Sequence, residues 1–219
     1  MKVTQLGGDV AIEVTRELAP PLRELRERLG LVVDHLERYV ATSTGPTPYP
    51  WRSLQTLRHD LAETYLDLTQ LARRVDELDQ ALTPGDPQPF EVSPAVDLGL
   101  RLAAPHLQPG PFGVGIELLF DLGHVPNARG VAGALALLVT QLVVVSAASA
   151  RASEGSTLSV RVAAEDGWVV VTIADNGNGS DRAAELGELA RSVVAPWGGS
   201  ADAASTPGRG CSFEIRLTY

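Results

Sequence analysis

Leucines set the rhythm of the first part of the chain. From Leu18 the apolar positions Leu18, Leu22, Leu25, Leu29, Val32 and Leu36 advance by alternating steps of four and three, the period of a helix seam. This predicts a helix over residues 9–41. The stretch TSTGPTPYP, residues 42–50, ends it, because proline removes a backbone donor and glycine permits a turn. A second seam on the same heptad phase follows at Leu54, Leu57, Leu61, Leu68, Leu71, Val75, Leu78 and Leu82, with Thr64 in its one gap. Two helices of matched length with a short connection pack antiparallel. Leu31, Val33, Tyr39, Val40 and Leu66 lie beside the seams and exceed what one hairpin buries. A homodimeric four-helix bundle would cover them, and one hairpin folded back onto the rest of the chain is the alternative.

Thr83-Pro84-Gly85-Asp86-Pro87-Gln88-Pro89 interrupts this rhythm and marks a boundary: a helical domain over 1–83, a linker over 84–90 and a second domain over 91–219. Within the second domain the period shifts. Residues 115–122, GIELLFDL, read as a strand, and so do 157–162 and 168–174, joined through Glu165-Asp166-Gly167. A helix follows over 183–194, and a closing strand over 211–217 comes after Pro207-Gly208-Arg209-Gly210. Residues 131–150, VAGALALLVTQLVVVSAASA, carry no charge and are long enough to span a bilayer. Thr140, Gln141, Ser146 and Ser149 interrupt that run, and it lacks aromatic belts and basic flanks, so a buried core helix is the better reading. The order of elements predicts an α+β chain: an antiparallel helical hairpin, then an α/β sandwich of mixed sheet and helices.

Composition narrows the functional classes. With 219 residues, 44% hydrophobic and 21% charged, the chain can bury one sizeable core or two smaller ones. A net charge of -9 argues against a general electrostatic grip on nucleic acid or anionic lipid. The N-terminus has no basic segment followed by an apolar one, so the expectation is a cytoplasmic protein with protein partners and no membrane. The single Cys211 excludes a disulfide framework and reads as a small buried hydrophobe.

The candidate chemistry sits at residues 168–180, WVVVTIADNGNGS. The β-branched run Val169 to Thr172, then Ile173, forms a strand that ends in Asp175-Asn176-Gly177-Asn178-Gly179. A carboxylate at a strand end, followed by alternate glycines, lets backbone pass close to a flat ligand; the same residues also form ordinary turns. This stretch resembles the GHKL ATPase fold of sensor histidine kinases, whose adenine box is Asp-x-Gly-x-Gly. The resemblance implies that Asp175, Gly177 and Gly179 are the adenine-contacting positions. PFEVSPAVDLGLRLAAPHL resembles the family's first strand and helix, with Ser93-Pro94 as cap and first-turn proline. GRGCSFEIRL resembles its closing segment.

The hairpin is similar to the family's dimerisation and phosphotransfer domain, whose H-box reads His-Glu-Leu-x-x-Pro-Leu. Arg16-Glu17-Leu18-Ala19-Pro20-Pro21-Leu22 keeps Glu17 and Pro21 but puts Arg16 at the histidine position. A guanidinium stays protonated and is no nucleophile, so Arg16 cannot take phosphate; it points outward and can pair with a carboxylate or phosphate on a partner. Arg58-His59-Asp60 resembles the His-Asp pair of other phosphotransfer helices. His59 is therefore either an accessible phosphoacceptor or a surface histidine in an i,i+4 charge pattern.

Two family features are missing. The long helix should carry magnesium-binding asparagines, yet it offers Gln141, Ser146 and Ser149 with no Asn or upstream Glu. Ser180 also leads directly into the next helix, leaving no room for an ATP lid. Phosphoryl transfer depends on positioning and neutralising the γ-phosphate, so neither metal nor ATP is expected as a working cofactor. The resemblance then implies a catalytically degenerate histidine-kinase-like dimer in two-component signalling that binds a response-regulator receiver domain or a partner histidine kinase as scaffold or regulator. The alternative is a histidine phosphotransferase relaying phosphate through His59, similar to phosphotransferases with dead ATP domains. An active ATP-dependent kinase would need magnesium ligands.

Overall fold

A computed structural model describes residues 27, 29–34, 38, 51–82, 85–107, 116–151 and 157–219. Residues 29–34 are helical (α1), as are 27 and 38. Trp51–Leu82 forms the continuous helix α2. The chain divides into two compact units between Asp76 and Glu77, inside α2 and ahead of the proline-rich stretch. The turn expected over 42–50 and the H-box positions Arg16, Glu17 and Pro21 lie outside the described residues.

In the first unit the second leucine seam splits into two rows. Thr64 is buried, and its hydroxyl donates to the Asp60 carbonyl at 2.7 Å, which satisfies the polar residue that fills the seam's gap. Leu61, Leu68 and Val75, spaced by heptads, are exposed together with Tyr65 and Leu66. On α1, Val32 is buried while Leu29, Leu31 and Val33 are exposed.

The second unit is a two-layer sandwich. Its strands are β1 (Gln88–Phe90), β2 (Glu117–Leu122), β3 (Ala128–Gly130), β4 (Thr157–Glu165), β5 (Trp168–Asp175), β6 (Ser200–Thr206) and β7 (Gly210–Thr218). Its helices are α3 (Val92–Ala103), α4 (Ala132–Arg151) and α5 (Ala183–Val194). Five strands form one sheet in the order β2-β4-β5-β7-β6; β2 and β4 are parallel and the other pairs antiparallel. Asp166 and Gly167, both with positive φ (49° and 84°), make the tight β4–β5 turn that suits the twist of paired strands. The β-branched run expected to be a strand is the middle strand β5, buried on one face at Val169, Val171 and Ile173. Val160 and Val162 on β4 and Phe213, Ile215 and Leu217 on β7 complete that face.

Helix α4 packs against this face at β5 and β7, and α3 packs on α4. The charge-free run is thus a core helix: it is long and apolar enough to cross a membrane, but 78% of its apolar window is buried in the chain. Thr140 donates within the helix to Ala136 O at 2.9 Å, so a buried hydroxyl is accommodated.

One local expectation is corrected. Ser93 does not cap α3, which starts at Val92 after Glu91; its hydroxyl instead donates to Gly123 O at 2.7 Å, beyond the end of β2, while Pro94 stays in the first turn. Two elements were not anticipated. Strand β6, Ser-Ala-Asp-Ala-Ala-Ser-Thr, has no apolar alternation, and pairing with β7 and packing against α5 make it a strand. Strand β3, three residues paired with the expected entry strand β1, lacks a periodic signal.

Candidate functional site

Strand β5 delivers Asp175 to the point where α4, β4 and the β6–β7 turn converge. Asp175 is buried, and its carboxylate accepts three hydrogen bonds from the chain itself. Oδ1 accepts from the Ser149 hydroxyl at 2.7 Å and from the Gly177 N–H at 2.9 Å; Oδ2 accepts from the Cys211 N–H at 3.1 Å. A carboxylate has about four acceptor sites, so the chain engages three of them and leaves one, on Oδ2. Charge-assisted bonds of this kind are the strong ones, and here two of the three donors are backbone groups fixed by the fold.

Ser149, on the last turn of α4, is the pivot. Its Oγ donates to Asp175 and accepts from Gly179 N–H at 2.8 Å, while its carbonyl accepts from Asn178 N–H at 3.2 Å. Asn176 is tied to the start of β4 twice: its side-chain oxygen accepts from Thr157 N–H at 2.7 Å, and its own N–H donates to Thr157 O at 3.3 Å. Asn178 O accepts from Gly208 N–H at 3.1 Å, and Ser180 N–H donates to Ser205 Oγ at 2.9 Å. The loop after β5 is thereby fastened on three sides.

Two glycines are required by this closeness. A Cβ on Gly177 would stand 2.2 Å from Ser149 O, and one on Gly210 would stand 2.0 Å from Asp175 O, at a φ of 87° that already excludes most side chains. Gly177, one of the glycines that read as room for a ligand, thus faces the chain's own backbone on its Cβ side. Cys211 is buried at the base of the site; burial pushes its thiol pKa up, with the nearby Asp175 charge acting in the same direction and hydrogen bonding with Ser205 and Ser149 opposing it.

The remaining candidates are elsewhere. Gln141 and Ser146 are buried in α4, and among the described residues Ser146 Oγ has no hydrogen-bond partner. Among the described residues no group of three or more His, Cys, Asp or Glu side chains is disposed to hold a metal ion. Ser180, Asp181 and Arg182 alone separate the loop from α5. His59 belongs to the other unit, on α2, with its side chain 72% exposed and Nε2 at 3.3 Å from Glu63 Oε1. The i,i+4 charge pattern thus includes it. Sequence reasoning singled out Asp175, Gly177 and Gly179 but not the donors around them: Ser149 drew notice only as a weak metal ligand, and neither Ser205 nor the Cys211 N–H carries any local signal.

No protein-family model and no curated protein matches this chain. Solved structures resemble it. They are histidine kinases. The histidine kinase domain of the blue-light activated kinase EL346 from Erythrobacter litoralis is 18% identical, covering 94% of each chain at a TM-score of 0.47. The Acinetobacter baumannii histidine kinase AdeS is 14% identical, covering 92% of this chain and 96% of that one at 0.46. The ATP binding domain of PrrB from Mycobacterium tuberculosis is 18% identical over 61% of this chain and 98% of its own, at 0.46. At these identities and scores the likeness assigns no activity, ligand or partner.

Proposed function

We propose that this chain is a histidine-kinase-like signalling protein that has given up ATP chemistry and works by binding, as scaffold or regulator, a response-regulator receiver domain or a partner histidine kinase. One observation carries the reading: the carboxylate that would receive adenine is held by Ser149, Gly177 and Cys211. These bonds brace the carboxylate from within the chain, and a nucleotide that displaced one of them would leave a buried polar group without a partner at a cost of about 1–3 kcal/mol. The short passage from Ser180 to α5 supports it further, since no segment remains to close over phosphates.

Homodimerisation through the helical unit is part of the proposal. The exposed row Leu61, Tyr65, Leu68 and Val75 on α2 is what a second copy would cover in a four-helix bundle. With its acidic balance, the protein is assigned to the cytoplasm, with no role for nucleic acid, a membrane or a metal.

The exposure of His59 favours a second reading, a histidine phosphotransferase that relays phosphate between receiver aspartates. A phosphorylated receiver domain incubated with the purified protein separates the two. The scaffold reading expects a stable complex with label retained on the receiver. Label lost from the receiver, and retained on it with His59→Ala, would establish the phosphotransferase; a complex weakened by Arg16→Ala would identify the H-box arginine as a docking residue.

A further inference from the structure

The rows of the large sheet run in register from edge to edge. One of them is Phe120 on β2, Val160 on β4, Ile173 on β5, Phe213 on β7 and Ala203 on β6. Residues paired in a ladder face the same side, so all five belong to the helix-covered face. Val160, Ile173 and Phe213 are 2% exposed or less, whereas Phe120 is 65% exposed. The helical layer that seals the row therefore leaves Phe120 uncovered. Leu118 and Leu122, in register with the buried Leu158 and Val162, are only half-buried on the same shelf.

Strand β2 is also an edge. Among the described residues it has one strand neighbour, β4. Alternate residues of such a strand turn N–H and C=O groups outward, a template for another strand. The opposite face of β2 carries Glu117, Leu119 and Asp121, all exposed. Arg161, which lies opposite Asp121 in the ladder, has a carboxylate of its own in Glu165 at 3.3 Å. The edge thus offers an apolar shelf on one side and two carboxylates on the other.

From this we infer that β2 is a docking edge for an extended segment of another protein, one that alternates apolar and basic residues and adds to the sheet as a sixth strand. Its apolar side chains lie over Leu118, Phe120 and Leu122, and its basic ones face Glu117 and Asp121. Backbone pairing supplies affinity and the two faces supply selectivity. Charge disfavours a second copy of this chain. Antiparallel pairing of two β2 strands about Leu119 sets Glu117 of each against Asp121 of the other, and like charges directly opposite are destabilising; the net charge of -9 adds to the repulsion.

The test is fluorescence anisotropy of labelled peptides with the full chain at physiological salt. The probe alternates lysine and valine; a lysine–proline peptide has the same charge but lacks half of the amides needed for pairing, and a glutamate–valine peptide reverses the charge. The lysine–valine peptide should bind saturably, at least about tenfold tighter than either control. Phe120→Ala should weaken it about tenfold, and the double change Glu117→Lys with Asp121→Lys should transfer preference to the glutamate–valine peptide. Hydrogen exchange at residues 117–122 should slow in the complex, a readout that needs no variant to fold. Equal binding of the lysine–proline peptide, indifference to Phe120→Ala, or unchanged exchange at β2 would each overturn the proposal. So would self-association of the chain that Phe120→Ala abolishes, because the occupant would then be a second copy.

Discussion

If the loop after β5 is a structural clasp, its glycines matter to stability in the absence of any ligand. Gly177→Ala is the sharpest perturbation. The added methyl would lie 2.2 Å from Ser149 O, 2.3 Å from its carbonyl carbon and 2.6 Å from Ala150 N, all backbone atoms of α4 that have no rotamer to retreat into. Overpacking of this kind costs about 1–3 kcal/mol. Moving the loop away also stretches the bonds from Asn178 N–H to Ser149 O and from Gly177 N–H to Asp175, at about 1 kcal/mol each. The sum is about 3–5 kcal/mol, or a fall in Tm of about 6–20 °C for a unit of this size. Thermal unfolding of the ligand-free protein, followed by circular dichroism and tryptophan fluorescence, measures it. Gly85→Ala is the control, since its nearest neighbour, Val131 Cγ1, would be at an ordinary 3.9 Å; its effect should stay within about 0.5 kcal/mol. A Gly177→Ala protein that melts within about 2 °C of the parent would refute the clasp, because the loop would then be free to move as a ligand-binding loop does.

Other outcomes follow from the same geometry. Ser149→Ala removes a charge-assisted bond to Asp175 and the acceptor of Gly179 N–H, so chemical denaturation should show a loss of about 2–4 kcal/mol. The buried Cys211 thiol, its pKa raised, should resist alkylation at neutral pH until the protein unfolds; the stability it contributes is intact below the ordinary thiol pKa and is lost as pH rises through the raised value, which pH-dependent denaturation above neutrality checks. Leu68→Glu together with Val75→Glu places charges in the exposed row of α2; on the proposed bundle, light scattering should report a dimer for the parent and a monomer for the variant.

The parts of the fold that were legible in the sequence are those with strong local patterns. The β-branched run Val169 to Ile173 became the central strand, the charge-free run became α4, and the leucine seam ran unbroken as α2. The parts that were not legible depend on distant partners. Ser200–Thr206 is a strand only because β7 offers a ladder beside it, and Ser93 gives up a cap for a carbonyl thirty positions along the chain. The site divides in the same way. Asp175 and its glycines stand out as a motif, but whether such a motif is an adenine box or a turn depends on what fills the space over it. Here the bonds to the motif come from Ser149 at the end of α4 and from Ser205 and Cys211, none adjacent to it in sequence.

The proposal that a carboxylate braced by the chain itself no longer serves nucleotide is tested most directly by titrating ATP with magnesium into the purified protein by calorimetry. The account predicts no binding heat and no rise in Tm at millimolar nucleotide. Saturable binding that is lost in Asp175→Asn would contradict it, and would return this chain to the nucleotide-binding members of the fold it resembles.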